Sequence, residues 1–384
     1  MSHPLTQMVL TIYARFSAVR ILQLCSAREI GGGEKHLADL ANSLADRGHE
    51  IFAAIAPNAP VRAELDRLPA QNIIELPMRN ALSLRSAMRL ARFVRRHGIE
   101  LIHAHLARDY PLAALASGRS GASLVLTRHV LFPLSKIHRL TLRRTARVIA
   151  VSQAVADGLR SQNVFSQDTI ETIHNGIDFE KFAQRTKRAI IDQDVASPHR
   201  MRVGTIGHLA PIKGQEEFIR AAALVRQTHN EVEFIIAGED KSRGGENRAT
   251  LEQLIDNLDL KDRVHLTGWI EDVAELLATF DLFVSAARSE PFGLAIVEAM
   301  AAGVPVIATV SEGASEILDD NQTGRLVPVG DANALAGAII DLLDDAEERS
   351  RLAETARRAA HERFSLERMV DRTEQVYRTV IESR

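Results

Sequence analysis

The chain alternates short apolar runs with stretches whose apolar residues recur at helical spacing. In the first half, Arg20–Cys25, Glu50–Ile55, Leu101–His105, Ser123–Thr127 and Arg147–Val151 read as strands, and Glu34–Arg47 and Leu84–His97 as helices. The second half repeats the scheme. Strands are expected at Met201–Gly207, Glu233–Ala237, Val264–Leu266, Leu282–Ser285 and Val304–Ala308. Helices are expected at Gly214–Gln227, Leu251–Leu258, Val273–Thr279 and Ala295–Ala302. Strands that alternate with helices predict parallel sheets covered on both faces, so the fold class is α/β with two doubly wound modules in tandem.

The weakly patterned, polar segment Arg185–His199 places the boundary between the modules at 190/191. Residues 1–19 precede the first strand and read as an N-terminal extension, without the long apolar core of a signal peptide. Arg349–Ser383 is a long charged helical pattern broken near Arg363-Phe364-Ser365, with Ser365 as a helix cap. At 384 residues, with 46% hydrophobic and 25% charged, the chain has ordinary globular composition. One cysteine, Cys25, excludes an internal disulfide, and its apolar surroundings predict a buried, inert thiol. No apolar run is long enough for a transmembrane helix.

The net charge of −3 hides an asymmetry. Residues 1–190 carry 26 Lys and Arg against 15 Asp and Glu, a balance of +11; residues 191–384 carry 21 against 35, a balance of −14. Such halves are expected to face different partners. The basic residues group in two amphipathic stretches. Arg85, Arg89, Arg92, Arg95 and Arg96 mark one; Lys136, Arg139, Arg143, Arg144 and Arg147, interleaved with Ile137, Leu140 and Leu142, mark the other. They suit an anionic lipid surface or an anionic acceptor, or are simply solvated. Aromatics at 4% leave no stacking platform for nucleic acid.

Three loops at strand ends could carry chemistry. Gly31-Gly32-Gly33-Glu34-Lys35-His36 lies between a strand and a helix, and is either a phosphate cradle or a tight turn. His36 breaks the dinucleotide fingerprint, and no Gly-Lys-Ser/Thr follows. The loop Gly207-His208-Leu209-Ala210-Pro211-Ile212-Lys213-Gly214 sets Lys213 at a helix start, where it is either solvated or paired with a bound anion. The run Ser289–Ile307 carries Glu290 in a loop stiffened by Pro291, Gly293 for close backbone approach, and Glu298 one turn into the next helix. Open α/β sheets bind ligands at such places. Glu298 could accept from vicinal hydroxyls such as those of a ribose; otherwise the glutamates only complement the helix dipole.

His103, His105 and His129 fall at C-terminal strand ends. His103 and His105 share a face but lack an identifiable third ligand, so no metal site is expected. His129 is a candidate hydrogen-bond donor to substrate or a structural histidine. Asp192-Gln193-Asp194 and Asp344-Asp345 resemble metal-binding acid pairs only in letters and read as solvated charge.

Together these residues resemble the retaining GT-B glycosyltransferases of family four, from about Arg20 to the C-terminus. Glu290 and Glu298 match the family's E-x7-E motif, and Gly207–Gly214 its G-R-L-x-x-x-K-G loop. Ala150-Val151-Ser152 and His174-Asn175-Gly176-Ile177-Asp178 match its A-V-S and N-G-V-D segments, and His129 its first-domain histidine. The chain departs from the pattern at His208, where the family usually carries Arg.

The resemblance implies two Rossmann-like domains facing across a cleft. One is an acceptor-binding domain of residues 20–190, completed by a crossover helix at about 365–384. The other is a nucleotide-sugar-binding domain of residues 191–364. It implies that Lys213 and His208 neutralise the leaving diphosphate, that Gly32, Gly33, Phe292, Gly293 and Leu294 surround its oxygens, and that Glu298 holds the ribose. Gly268, Trp269 and Ile270 would flank the base, Glu290 the sugar hydroxyls, and His129 the sugar near its reacting carbon. The expected activity is metal-independent transfer of a hexosyl group, without cofactor, from a UDP or GDP sugar to a glycan or lipid-linked acceptor in envelope polysaccharide or glycolipid synthesis. The expected location is cytoplasmic, peripheral on the membrane through Arg92, Arg95, Arg96, Arg139, Arg143 and Arg144. Competing readings are a sugar-nucleotide epimerase of the same fold, which needs no acceptor, and a non-catalytic sugar-nucleotide-binding protein. A nicotinamide-dependent dehydrogenase lacks its glycine fingerprint and the acid after the second strand.

Overall fold

The computed structural model of the chain describes residues 18–78, 83–192 and 200–383. The extension before residue 18, and Gln193 and Asp194 of the acidic linker, lie outside them, as do the side chains of Lys136 and Asp192. Contacts divide the chain into two units. The first runs to Ala150 and adds Ala156–Thr172 and the residues from Val370. The second comprises Val151–Val155 and Ile173–Met369.

The first unit holds a seven-stranded parallel sheet in the order β3-β2-β1-β4-β5-β6-β7. Its strands are β1 (Arg20–Cys25), β2 (Glu50–Ile55), β3 (Ile73–Glu75), β4 (Leu101–Ala104), β5 (Ser123–Arg128), β6 (Arg147–Ala150) and β7 (Ile170–Thr172). Helices α1 (Gly32–Asp46), α2 (Leu84–Arg96), α3 (Tyr110–Ser120) and α4 (Lys136–Thr141) belong to this unit, and α5 (Gln153–Ser161) follows β6. The central strands β1 and β2 are buried past their first residue and β4 throughout, which is why they read as apolar runs.

The second unit holds a six-stranded parallel sheet, β10-β9-β8-β11-β12-β13. Its strands are β8 (Arg202–Ile206), β9 (Glu233–Ala237), β10 (Val264–Gly268), β11 (Leu282–Ser285), β12 (Val306–Thr309) and β13 (Arg325–Val327). The helices are α6 (Phe179–Asp192), α7 (Gln215–Val225), α8 (Glu246–Asn257), α9 (Val273–Leu277), α10 (Leu294–Ala302), α11 (Glu312–Ile317), α12 (Ala332–Asp344) and α13 (Ala346–Phe364). Phe218, Phe234, Val284 and Leu282 centre the core of this unit. Both sheets reverse their winding direction beside their first strand, between β1 and β4 and between β8 and β11. At such switch points the loops leave in opposite directions and open a crevice at the carboxyl ends of the strands.

The expected α/β class and paired sheets are present. Residues 173–190, assigned to the first domain from sequence, cluster with the second unit. Two local contacts tie them there. Ile177 donates to the Phe364 carbonyl and accepts from Leu366 N–H. Gly176 lies so close to the chain at Ser365 that a Cβ would stand 2.6 Å from its carbonyl oxygen. A break does fall at Ser365, whose hydroxyl accepts from Arg368 N–H (3.3 Å) and starts α14 (Leu366–Glu382). Asp344 and Asp345, read as solvated charge, have partners. Asp344 pairs with His229 at 3.0 Å, and Asp345 accepts from Glu348 N–H at 2.8 Å as the cap of α13.

Candidate active site

In the second unit the site is built from loops that follow β8, β9, β10 and β11. Gly238 follows β9 at φ +151°, and a Cβ there would lie 1.9 Å from the Gly207 carbonyl oxygen. Its N–H donates to the Gly268 carbonyl at 2.8 Å. Gly207, Gly238 and Gly268 thus bring three strand ends together, and Gly268 itself turns at φ +78°. Trp269 after it is 56% exposed, and Ile270 is half-buried.

The loop after β8 is sewn to the loop after β11. Arg288 N–H donates to the Ile212 carbonyl at 2.8 Å. Gly214 sits at φ +69°, where a Cβ would meet the Ala286 carbonyl oxygen at 1.9 Å, so only glycine fits. This close approach sets Lys213 Nζ 2.6 Å from Glu290 Oε2, with side chains only 21% and 16% exposed. The anion that pairs with Lys213 is therefore one of the chain's own carboxylates. Glu312 at the head of α11 fixes Glu290 in turn. It accepts from the Glu290 N–H (3.2 Å) and the Ser289 hydroxyl (3.2 Å), while Gly313 N–H donates to the Glu290 carbonyl (2.8 Å).

Past Glu290, Phe292 is buried and stacks on His174, whose ring centroid is 5.8 Å away. Gly293 turns at φ +106° and leads into α10, and Leu294 opens that helix half-buried. The first N–H groups of the helix and its dipole form an electropositive end. Glu298 is buried one turn into α10. His208 is held below the ordinary imidazole pKa, first by burial and then by Lys213 and Lys241, with Glu290 opposing. It is neutral at pH 7 here. Lys241, Glu312 and the ion pair of Arg288 with Glu217 were absent from the sequence reading. Nothing in their spacing connects them to the motif.

In the first unit a second set of groups gathers at the ends of β1, β4 and β5. Glu34 accepts from Gly31 N–H at 3.0 Å, which shapes the Gly31–Gly33 turn. A Cβ on Gly33 would stand 3.7 Å from the His129 ring. His129 follows β5, and its ring lies 4.9 Å from that of His36 on α1 and 6.0 Å from that of His105. His103 is a core residue. Its Nδ1 meets Tyr377 OH at 2.6 Å, and its Nε2 meets Thr127 Oγ1 at 2.7 Å. Burial, then repulsion among the imidazoles, holds His103, His105 and His129 well below the usual pKa, so all three are neutral. Beside them Asp109 is buried, accepts from Ser26 N–H at 2.8 Å, and is pushed up to about 6 by desolvation. Arg108 donates to the same serine's hydroxyl and carbonyl, both at 2.8 Å. Cys25 is buried as expected, and burial raises its thiol to about 12.

The arginines of the expected membrane face, Arg92, Arg95, Arg96, Arg139, Arg143 and Arg144, are all exposed. Arg95 donates to the Arg119 carbonyl and Arg139 to that of Gln162, both at 3.1 Å. Near them Phe132 and Leu140 are 69% and 72% exposed, and Leu84 and Met88 are exposed on α2. Among the described residues no helix is long and apolar enough to cross a membrane.

These strand-end loops belong to a known class of enzyme. Residues 187–359 match the family model described as Glycosyl transferases group 1, and residues 30–181 match that described as Glycosyltransferase Family 4. The chain belongs to the group 1 glycosyltransferases, and its two parallel sheets are those of a GT-B fold. It is 29% identical over 371 residues to the N-acetyl-alpha-D-glucosaminyl L-malate synthase of Bacillus anthracis, covering 92% of this chain and 95% of that protein. It is 29% identical over 347 residues to the lipopolysaccharide core biosynthesis glycosyltransferase LpsE of Rhizobium meliloti, covering 89% and 94%. The crystal structure of Anabaena HepE in complex with UDP and glucose superposes with a TM-score of 0.80 at 26% identity, over 94% of this chain and 99% of that one.

Proposed function

We propose that this glycosyltransferase is a retaining enzyme that takes a hexosyl group from a UDP sugar to a glycan or lipid-linked acceptor. The observation that carries the reading is the Lys213–Glu290 pair, half-buried before the electropositive end of α10, with Glu298 behind it. UDP is favoured over GDP because HepE, similar over nearly its whole length, was solved with UDP and glucose.

The chemistry asks for charge stabilisation at the leaving diphosphate. Lys213 supplies a fixed cation in a partly desolvated place, and the free N–H groups at Gly293 and Leu294 add donors that need no reorganisation. A group of this kind is typically worth about 3–4 kcal/mol in the transition state. His208, neutral without ligand, gains a proton when a diphosphate offsets the repulsion of Lys213 and Lys241. It then stands in for the fixed arginine of the family. Glu298 holds the ribose, Gly268–Ile270 flank the base through the backbone, and Glu290 accepts from sugar hydroxyls. Gly32 and Gly33 offer N–H groups to the diphosphate, and His129 bonds the sugar near its reacting carbon. With the cations in place, the leaving phosphate can take the acceptor's proton as the acceptor attacks the same face, which retains configuration and requires no metal at the diphosphate.

The acceptor is assigned to the cytoplasmic face of the envelope membrane, in polysaccharide or glycolipid synthesis. The exposed arginines with Phe132 and Leu140 support this, since cationic and apolar groups together bind anionic interfaces. Charge reversal of Arg143 and Arg144 is expected to weaken sedimentation with phosphatidylglycerol vesicles; unchanged binding would remove this part of the reading.

Thermal unfolding with UDP, GDP, ADP and NAD in parallel tests the donor. A ligand at 100 times its Kd adds about 2.7 kcal/mol, or several degrees. A shift with UDP alone supports the proposal, a shift with GDP alone moves the donor series, and a shift with NAD alone overturns it.

A further inference from the structure

His36, His105 and His129 come from three separate segments: the first turns of α1, the end of β4 and the loop after β5. One ring nitrogen from each lies within 4.8 Å of the others. Sequence spacing offered only the pair His103 and His105, but His103 spends both ring nitrogens on Tyr377 and Thr127.

The hydrogen bonds fix which nitrogen His105 offers. Gln23 Nε2 donates to Tyr377 OH (3.4 Å), so Gln23 Oε1 turns toward His105 and accepts from its Nε2 at 2.8 Å. The proton is therefore on Nε2, and Nδ1 presents a bare lone pair. That Nδ1 is buried and has no hydrogen-bond partner in the protein, as is also true of Nε2 of His129. A buried acceptor without a partner has lost its water and gained nothing in return. A ring that donates one N–H to a carbonyl and keeps its other nitrogen unpartnered, with two further imidazoles 5.7 and 6.0 Å away, has the outer-shell support of a metal ligand.

We propose that His36, His105 and His129 bind one borderline transition-metal ion, Zn2+ in the simplest case, with an open fourth position. Carboxylates are absent from the triad, which disfavours Mg2+ and Ca2+. Bonds of about 2.0–2.1 Å in a tetrahedron need nitrogens about 3.4 Å apart. The rings must close by up to about 1.4 Å from the present separation. The proposal stands apart from the transfer reading. It shares one residue with that reading, His129, so a bound metal and a bound donor sugar are alternative states of the chain, and the metal titration is made without donor.

The experiment is Zn2+ and Co2+ titration of the chelator-treated full chain, by calorimetry and visible absorption. The expected result is one ion per chain at micromolar Kd or tighter, with Co2+ bands of a tetrahedral nitrogen site. His36→Gln and His105→Ala should each weaken binding at least tenfold, and the exposed His265→Ala should leave it unchanged. Circular dichroism verifies folding of each variant. X-ray absorption of the zinc-loaded wild type gives a readout that needs no variant. A shell with three imidazole nitrogens supports the site. A shell with fewer, no stoichiometric uptake, or undiminished binding in folded His36→Gln overturns it.

Discussion

Lys213 is neutralised by Glu290 at 2.6 Å, so on the proposed reading a diphosphate has to share that lysine with a carboxylate. Glu290→Gln keeps the shape and hydrogen bonding of the side chain and removes its charge. If the phosphate charge sits roughly 6 Å from the carboxylate, their repulsion is about 0.7 kcal/mol in water and about 2.8 kcal/mol at an effective dielectric of 20. The pair is half-buried, so about 1–2 kcal/mol is the reasonable middle, equal to about 5–30-fold tighter UDP binding. The sugar should show the opposite. A hydrogen bond from a sugar hydroxyl to a charged carboxylate is worth about 1.5–3 kcal/mol net, and the neutral amide loses part of that. Titration calorimetry of wild type and Glu290→Gln with UDP and with UDP-glucose separates the two effects. The variant should bind UDP more tightly, yet gain less affinity from the added glucose. Weaker UDP binding in the variant, with an unchanged gain from glucose, would refute the assignment of Glu290 to the sugar and Lys213 to the diphosphate.

His208 is neutral without ligand because burial, Lys213 and Lys241 outweigh Glu290, and on the proposed reading a diphosphate would raise its pKa. Binding then takes up a proton, so UDP affinity should rise as pH falls from 8 towards 6, by at most tenfold per unit. His208→Arg should flatten that slope, and an unchanged slope would exclude His208 as its source. Gly214→Ala places a Cβ 1.9 Å from the Ala286 carbonyl at a backbone angle that disfavours it. The loops must separate there, so the midpoint of thermal unfolding should fall by several degrees and UDP affinity with it; a wild-type melt would contradict the geometry.

Much of the fold could be read in the sequence because buried parallel strands write themselves as apolar runs. β1, β2, β9 and β11 were read with the bounds the structure has. The three-residue strands β3, β7 and β13 are too short to show any period, and all lie at or near sheet edges. Helix α8 begins five residues before the expected Leu251, since its first turns carry few apolar residues. In the site, the spacing of Glu290 and Glu298 is local and therefore legible. The Lys213–Glu290 contact spans 77 residues and depends on Gly214 meeting Ala286. The role of His36 was hidden for the same reason: a helix turn and two strand ends make a triad only once the sheet has formed.

Tyr377 fills the interior of the first unit, fully buried between Gln23 and His103. It leaves the ribosome 274 residues after His103. The unit made first therefore cannot close its own interior during synthesis. It waits, with a polar vacancy under β1 and β4, while the second unit is made and folds, although domains usually fold in order of emergence. His103 takes its hydrogen bond to Tyr377 only then. The polar interior of the first unit is in this way completed only after the intervening chain exists.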